Sequence, residues 1–364
     1  MKVTQSGFLD FLGQEDMRLA IPAYQRLYSW SEVQCEELWL DVLRAARAGR
    51  SHFLGTVLYC AAPRGDRGDG ARCFEVIDGQ QRVMTVSLAI LALAQHLEAH
   101  PNDQGGGCVE GRALRARYLA MGETVPGPVA AKLVPTRHDS PTYEAALEGG
   151  ALDPASPIAR NLGFFRAKMG EDGFDPLQLL AGLRQLAVVL VEVGDSLEAQ
   201  PIFESINSKG VPLNVADMVR NYLLLAESHD EQARLYEEYW KPSQEMFAPD
   251  PGSLKLNVGI KSWLSIRLKG ARILSAEQTY SSFKRYVEDA YQGDKEPILR
   301  ELRGFCLMWA ESYRYHGVKR FRSGSDWAEL GAPTLTAGYA LKRADDEEYA
   351  RRYREKLRNV DSRW

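Results

Sequence analysis

The chain has 364 residues, of which 45% are hydrophobic, 26% charged and 10% aromatic, and its formal net charge is −4. This composition excludes a disordered, collagen-like or coiled-coil protein, and the length allows two domains of roughly 100–200 residues each. The negative net charge argues against a chain-wide basic surface of the kind that binds nucleic acid non-specifically. It is compatible with a local basic patch.

The sequence carries no sign of export or of membrane insertion. Its N-terminal residues lack the basic and then apolar order of a signal peptide. The longest apolar stretch is residues 83–97. A helix needs about 20 apolar residues to span a bilayer, so this stretch is too short. None of the five cysteines pairs with another at C-x-x-C spacing, which is typical of buried thiols in a reducing compartment. We therefore expect a soluble, cytoplasmic protein with no membrane partner.

The first fifty residues predict two helices separated by an ordered loop. Residues 8–12 begin a short helical pattern. Residues 18–30 are too often interrupted by proline and aromatic residues for a regular helix, so we interpret them as the end of a strand followed by a loop. Ser31 is a good N-cap residue, and it precedes an acidic first turn. A helix from there to about residue 48 is expected.

The next segment predicts a hairpin that leads into a buried helix. Residues 53–60 (FLGTVLYC) and 73–77 (CFEVI) are β-branched and aromatic runs, and a loop rich in glycine, aspartate and arginine separates them. The second run continues into DGQQR and then into residues 83–100, which are apolar on most helical faces. The DGQQR segment is therefore expected at a strand-to-helix turn.

Beyond residue 100 the pattern is mainly helical. The exception is Leu186–Val193, a β-branched run typical of a central strand. Asn214 is the expected N-cap of a helix over about 215–226. These patterns predict an α+β protein with one domain over 1–227, which contains a helical insertion at about 101–185, and a helical domain over 228–364.

Common catalytic motifs are absent from the sequence. It contains no P-loop, no G-x-G-x-x-G after a strand, no H-E-x-x-H and no G-x-S-x-G. The six histidines do not show the close spacing of an HNH nuclease. A metal-dependent hydrolase or a catalytic triad is therefore not indicated by any recognised pattern.

The segment Asp78-Gly79-Gln80-Gln81-Arg82 is the first candidate site. A strand-to-helix turn directs unpaired N–H groups and the positive end of the helix dipole to one point, which favours an anion. Arg82 would add a bidentate phosphate donor, Asp78 could hold Mg²⁺, and Gly79 would let a ligand approach closely. The alternative is a capping box between Asp78 and Gln81, which needs no ligand.

Two further segments are candidates on weaker signals. In residues 21–30 (IPAYQRLYSW) the Tyr24 ring could stack on a nucleobase while Arg26 binds phosphate, or the aromatic residues could simply be buried with Arg26 in solvent. In residues 203–214 (FESINSKGVPLN) Asn207 and its neighbours could form a polar backbone nest, with Lys209 adding charge. The alternative for this segment is a plain corner between two helices.

Four segments in order resemble a known family. The blocks IPAYQRLYSW, HFLGTVLY, VIDGQQRVMTVSLAI and IFESINSKGVPLNVADMVRNYLL are similar to the signature blocks of the domain of unknown function 262, the N-terminal domain of GmrSD-type, modification-dependent (type IV) restriction systems. The resemblance covers roughly residues 8–226. It implies a ParB/sulfiredoxin-like fold, in which a small mixed sheet with helices forms a nucleotide or phosphodiester pocket at the DGQQR turn.

The resemblance also implies an activity and its residues. Family members hydrolyse nucleoside triphosphates, GTP among them, in defence against phage DNA that carries modifications. The implied pocket residues are Asp78, Gln80, Gln81 and Arg82, with Gly79 at the turn, Tyr24, Gln25 and Arg26 facing it, and Asn207, Lys209 and Asp217 as further nucleotide-binding residues. Arg82 and Arg26 would hold phosphates, and Asp78 would hold Mg²⁺ or orient the attacking water with the help of Gln80 or Gln81.

The resemblance suggests partners as well. Many family members continue into an HNH-type nuclease domain, whose histidines are missing here. We therefore expect either a separate nuclease subunit or a chain cut after Trp364, with DNA, most of all modified phage DNA, as the target. Two alternatives remain open: a module that binds or senses DNA without turnover, and direct nuclease activity of the ParB-like domain.

Overall fold

The structure is a computed structural model that describes residues 1–62, 72–100, 110–121, 130–194, 199, 202, 214–225, 227, 229–247, 254–268 and 275–316. The chain divides into two compact units, Met1–Ile206 and Asn207–Trp364. Each unit is defined by the dense contacts among its own residues, and such contacts do not show that the unit folds independently. The expected domain boundary at residue 227 therefore stays a prediction.

The first unit contains both strands and helices, mixed along the chain. Its elements are β1 (Lys2–Gly7), α1 (Phe8–Leu12), β2 (Met17–Ala20), α2 (Glu32–Ala48), β3 (His52–Ala61), β4 (Arg72–Asp78), α3 (Gln80–Ala99), α4 (Gly111–Tyr118), β5 (Leu133–Val134), α5 (Ser140–Glu148), α6 (Pro157–Met169), α7 (Pro176–Arg184) and β6 (Leu186–Val193). The α+β class expected from the sequence is confirmed.

The strands form one mixed six-stranded sheet in the order β1-β6-β3-β4-β2-β5. β3 and β4 are antiparallel, as the predicted hairpin requires. β6 lies between β1, to which it is antiparallel, and β3, to which it is parallel. Its β-branched run therefore occupies an interior strand, as its composition predicted. The ParB/sulfiredoxin-like assignment of this sheet stays a prediction.

Helix α3 is the central helix of the first unit. It is apolar on nearly all sides, and its residues from Val83 to Ala94 are all buried. It packs against α4 and α6, and its first turn follows directly on β4. The helix start is thus held between the sheet and the surrounding helices, which gives the β4–α3 turn a rigid support.

Helix α2 begins and ends where its sequence predicts. The Ser31 hydroxyl accepts a hydrogen bond from the Val33 N–H, and the Gln34 side chain accepts one from the Ser31 N–H, so a capping box is present. Gly49 ends the helix in the left-handed region, at φ +58°. One buried face of α2 packs against α7.

The α2–α7 contact depends on the absence of a side chain at Gly182, because a Cβ there would collide with the carbonyl oxygen of Val42. We expect Gly182→Ala to lower the free energy of unfolding by about 1–3 kcal/mol, as overpacking does. Gly163→Ala is the matched control, since that glycine lies on α6 with open space around its Cβ position, and alanine should be neutral or stabilising there. Equal denaturation midpoints for the two variants would contradict this packing.

The described part of the second unit is helical. Its elements are α8 (Val215–Leu224), α9 (His229–Leu235), a π-helical turn (Tyr236–Trp240), α10 (Lys241–Glu245), α11 (Leu254–Arg267), α12 (Ala276–Tyr291) and α13 (Glu296–His316). Buried Glu301 joins three of them, because its carboxylate accepts hydrogen bonds from Trp263, Arg267 and Tyr291. In the part of the chain that the structure describes, no helix combines the length and apolarity needed to cross a bilayer.

Candidate functional site

The candidate site is the turn between β4 and α3. β4 ends at Asp78, and Gly79 is the N-cap of α3 at φ +92° and ψ 2°. Among the described residues, no side chain caps this helix, and its first turn contains no acidic residue. The alternative of a capping box between Asp78 and Gln81 is therefore wrong, because Asp78 still belongs to the strand. In general, the N–H groups at an uncapped helix start favour an anion.

Gly79 is required at this turn for two reasons. Its φ lies in the region that favours glycine, and a Cβ would lie 3.0 Å from both the Thr56 carbonyl oxygen and the Val57 Cγ2 atom. The start of α3 therefore contacts β3 directly. This close approach brings the Thr56 carbonyl of β3 next to the first turn of α3.

Gln81 holds the 21–30 loop and does not face solvent. Its Oε1 atom accepts hydrogen bonds from the N–H groups of Ser29 (2.9 Å) and Trp30 (3.2 Å), and its Nε2 donates one to the Leu27 carbonyl (3.2 Å). The Gln81 side chain is 5% exposed. Its amide thus satisfies three backbone groups of a loop that has no regular secondary structure.

Two more glutamines complete this attachment. The Gln80 Nε2 donates to the Arg26 carbonyl at 3.2 Å, and the Gln25 Nε2 donates to the Ile77 carbonyl at 2.9 Å. Both side chains are buried. The loop and the DGQQR turn therefore form one hydrogen-bonded body, in which the glutamines position backbone atoms. Their expected role as helpers of a nucleophile stays a prediction.

Tyr28, which is buried, also anchors the 21–30 loop to helices of the first unit. The Tyr28 N–H donates to Asp139 at 2.9 Å, and its hydroxyl lies 2.7 Å from the Thr85 hydroxyl. Asn161 donates to the Tyr28 hydroxyl and to the Trp30 carbonyl, each at 2.8 Å. Burial raises the pKa of the Tyr28 phenol, so Tyr28 stays neutral and keeps its hydrogen bonds at physiological pH.

Asp139 makes the loop attachment sensitive to pH. Burial raises the pKa of its carboxyl, and the hydrogen bonds from the Tyr28 N–H and the Thr136 hydroxyl lower it by less. Because the pKa is higher in the folded state than in the unfolded state, the folded chain binds the proton more tightly. The stability contribution of this group therefore falls as pH rises from the unfolded-state pKa through the folded-state pKa.

Asp139→Asn tests this dependence, because asparagine keeps an acceptor oxygen for both donors. We expect the loss of stability between about pH 4 and about pH 7 to be smaller in the variant than in the wild type. Denaturant titrations at the two pH values measure it. An identical pH dependence in both proteins would contradict the assignment.

The predicted site residues of the 21–30 loop differ in their burial. Tyr24 is fully buried, so its ring offers no exposed face for stacking on a base. Gln25 is buried as well, whereas Arg26 is exposed. Of the three residues, only Arg26 can reach a ligand from solvent in this conformation, and the nucleotide-binding role of all three stays a prediction.

Arg82 and Asp78 are the polar side chains of the turn that reach the surface, with 25% and 23% of their side-chain area exposed. The Arg82 Nη2 donates to the Thr56 carbonyl at 2.5 Å and lies 3.4 Å from the Asp78 Oδ2. The guanidinium packs against Gly55, and its buried Nε has no hydrogen-bond partner among the described residues. Arg82 is thus held at the surface, with its ion pair to Asp78 long and weak.

Asp78 can supply one carboxylate to a metal ion. Among the described residues, no group of three or more histidine, cysteine, aspartate or glutamate side chains could hold a metal. Mg²⁺, however, usually keeps several waters and binds through one or two carboxylates together with substrate phosphates. A single carboxylate beside a phosphate site therefore fits Mg²⁺ and does not fit a closed structural metal centre.

The remaining predicted residues are not part of this turn. Asn207 and Lys209 lie outside the described residues. Asp217 belongs to α8 of the second unit, where it accepts a hydrogen bond from Asn214 at 2.7 Å and forms a buried ion pair with Arg220 at 2.9 Å. These contacts give Asp217 a structural role at the start of α8, and its nucleotide-binding role stays a prediction.

A cleft elsewhere in the first unit contains none of the predicted residues. It has a volume of about 510 Å³ and lies at the C-terminal ends of α3 and α6. Its lining includes His96, His100 and Arg166. The helix C-termini at this cleft carry the negative end of the helix dipole, which disfavours an anion.

Gly55 and Thr56 are the site residues that sequence analysis missed. Both lie in β3 and contact Arg82. A glycine inside a β-branched and aromatic strand often marks a bulge or a close approach, so the FLGTVLY run contained a signal for Gly55. No local signal indicates that the Thr56 carbonyl accepts from a side chain 26 positions later.

The comparisons with known proteins agree with the ordered sequence blocks. Residues 8–224 match the family model described as the GmrSD restriction endonuclease, N-terminal domain. The match covers more than half of the chain and includes β4, α3 and the 21–30 loop. A search of curated proteins found no significant match.

Proposed function

Because the chain belongs to the family of GmrSD restriction endonuclease N-terminal domains, we propose that its first unit binds and hydrolyses a nucleoside triphosphate at the β4–α3 turn. The observation that carries this proposal is the uncapped start of α3, with Arg82 held at the surface beside it. N–H groups of a first helical turn together with a guanidinium form a phosphate site.

The proposed mechanism depends mainly on electrostatic stabilisation. Arg82 and the first-turn N–H groups of α3 bind the terminal phosphates and stabilise the charge that builds up in the transition state. Asp78 would hold Mg²⁺, and the bound ion would neutralise phosphate charge. Alternatively, Asp78 orients the attacking water. Gln80 and Gln81 act indirectly, since their amides fix the loop that presents Arg26.

The family match to a restriction endonuclease domain supports a part in a system that acts on DNA. We propose that turnover is coupled to DNA that carries modifications, as in defence against phage, and that cleavage is performed by an HNH-type nuclease domain or subunit. The net charge of −4 makes broad non-specific DNA binding by the whole chain unfavourable. GTP is one candidate substrate among the nucleoside triphosphates.

The test is phosphate release from a panel of nucleoside triphosphates with Mg²⁺, in the presence and absence of DNA. We expect turnover by the wild type, its loss in Arg82→Ala, and its retention in Arg44→Ala. Arg44 is an exposed arginine on α2 that pairs with Asp41, so it controls for the loss of a surface charge. Absence of turnover with every nucleotide, with and without DNA, would overturn the proposal and leave a sensing module.

A further inference from the structure

β3 contains a bulge directly under the Arg82 guanidinium. The register of β3 with β6 shifts between Phe53, which pairs with Ala187, and Gly55, which pairs with Val188. Leu54 is therefore the extra residue of the bulge. Gly55 follows it at φ +122°, a conformation that only glycine adopts readily.

The guanidinium lies flat on Gly55. A Cβ at this position would be 3.2 Å from the Arg82 Cζ and 3.3 Å from both Nε and Nη1. Nearly equal distances to three atoms of one plane mean that the plane faces Gly55, because an edge-on group would place one atom much closer. A Cβ at residue 55 would crowd the guanidinium, which would have to move away by a few tenths of an ångström.

Two acceptors lie at the edge of the same plane. The Thr56 carbonyl accepts from Nη2 at 2.5 Å, and the Asp78 Oδ2 lies 3.4 Å from that atom. Gly55 thus provides a flat face, Thr56 a neutral acceptor and Asp78 an anionic one. Both acceptors contact one nitrogen, so it is the flat face on Gly55 that fits a planar cation better than a tetrahedral ammonium.

We propose that Gly55, the Thr56 carbonyl and Asp78 form a cradle for a planar guanidinium, and that Gly55 is thereby a positioning residue for Arg82. The functional meaning of this cradle rests on the proposed phosphate site, since it holds the Arg82 guanidinium at the Thr56 carbonyl, which lies next to Gly79. Its chemical selectivity for a guanidinium is independent of turnover and can be measured separately.

The experiment uses Arg82→Ala, which vacates the cradle, and free guanidinium as the probe. Binding is followed by NMR of the labelled cation and of backbone amides at 55–57 and 78–82, at concentrations far below denaturing ones. A four-atom cation is expected to bind in the millimolar range. Methylammonium should bind at least about tenfold more weakly, since it is not planar. Absent binding, or equal affinity for the two cations, would overturn the cradle.

The role of Gly55 is tested by adding Gly55→Ala to Arg82→Ala. We expect the double variant to bind guanidinium more weakly than Arg82→Ala does, while its circular dichroism spectrum stays that of a folded protein. Equal affinity in the two variants would overturn the role of Gly55. If the double variant does not fold, the comparison of guanidinium with methylammonium in the single variant still decides whether the cradle exists.

A turnover assay separates this inference from the proposed function. If the wild type hydrolyses nucleotides, guanidinium should restore part of the turnover lost in Arg82→Ala, and methylammonium should not. If the wild type has no turnover but guanidinium binds selectively, the proposed function fails and the cradle stands. If the wild type hydrolyses nucleotides but guanidinium and methylammonium bind equally well, the cradle fails and the proposed function stands.

Discussion

Arg82→Ala is expected to reduce nucleotide hydrolysis by about 10²–10³-fold, the usual effect of removing one donor to transition-state charge. Arg82→Lys should lose nearly as much, because an ammonium has no planar face to pack on Gly55 and no rigid fork of donors for phosphate. The measurement is the initial rate of phosphate release at saturating nucleotide and Mg²⁺.

Folding controls make the Arg82 result interpretable. The side chain is a quarter exposed and its ion pair with Asp78 is long, so both variants should unfold within a few degrees of the wild type. Arg44→Ala should be indistinguishable from the wild type in rate and midpoint. Full activity of Arg82→Lys would show that charge alone is sufficient and that the planar contacts are irrelevant.

Gln81→Met is expected to be among the most destabilising polar substitutions in the first unit. Methionine keeps the volume of glutamine but leaves two N–H groups and one carbonyl of the loop without their partner. Because these contacts are partly buried, we expect a loss of about 2–4 kcal/mol in the free energy of unfolding. Denaturant titration measures this loss.

Gln34→Met is the matched control for Gln81. Gln34 also accepts a hydrogen bond from a backbone N–H, at 2.8 Å, but this contact is exposed at the start of α2. Its loss should cost only about 0.5–1 kcal/mol, because water replaces the partner. If the two variants lost the same stability, the 21–30 loop would not depend on the Gln81 amide.

Much of the fold was predictable because its signals are local. Ser31 caps α2, a β-branched run forms the interior strand β6, and apolar residues on all sides make α3 a buried helix. Each signal involves residues within a few positions of one another. The position of DGQQR at a strand-to-helix turn followed from the same kind of pattern.

The site was less predictable because its contacts are distant in sequence. Gln81 bonds to backbone groups about fifty positions earlier, and Arg82 bonds to Thr56. A glutamine amide fits a solvated face, a catalytic site or a loop attachment equally well, and nothing beside it in the sequence distinguishes them. The capping-box alternative places the N-cap at Asp78 because aspartate is a common cap, whereas the structure has the N-cap at Gly79, where the close contact with β3 requires glycine.

Hydrogen exchange of the amides at 79–82, with and without a non-hydrolysable nucleoside triphosphate analogue and Mg²⁺, tests the central claim most directly. Bound phosphates should protect the otherwise uncapped N–H groups at the start of α3, and this protection should disappear in Arg82→Ala. Protection confined to other segments, such as the cleft around His96 and Arg166, would contradict a nucleotide site at the β4–α3 turn.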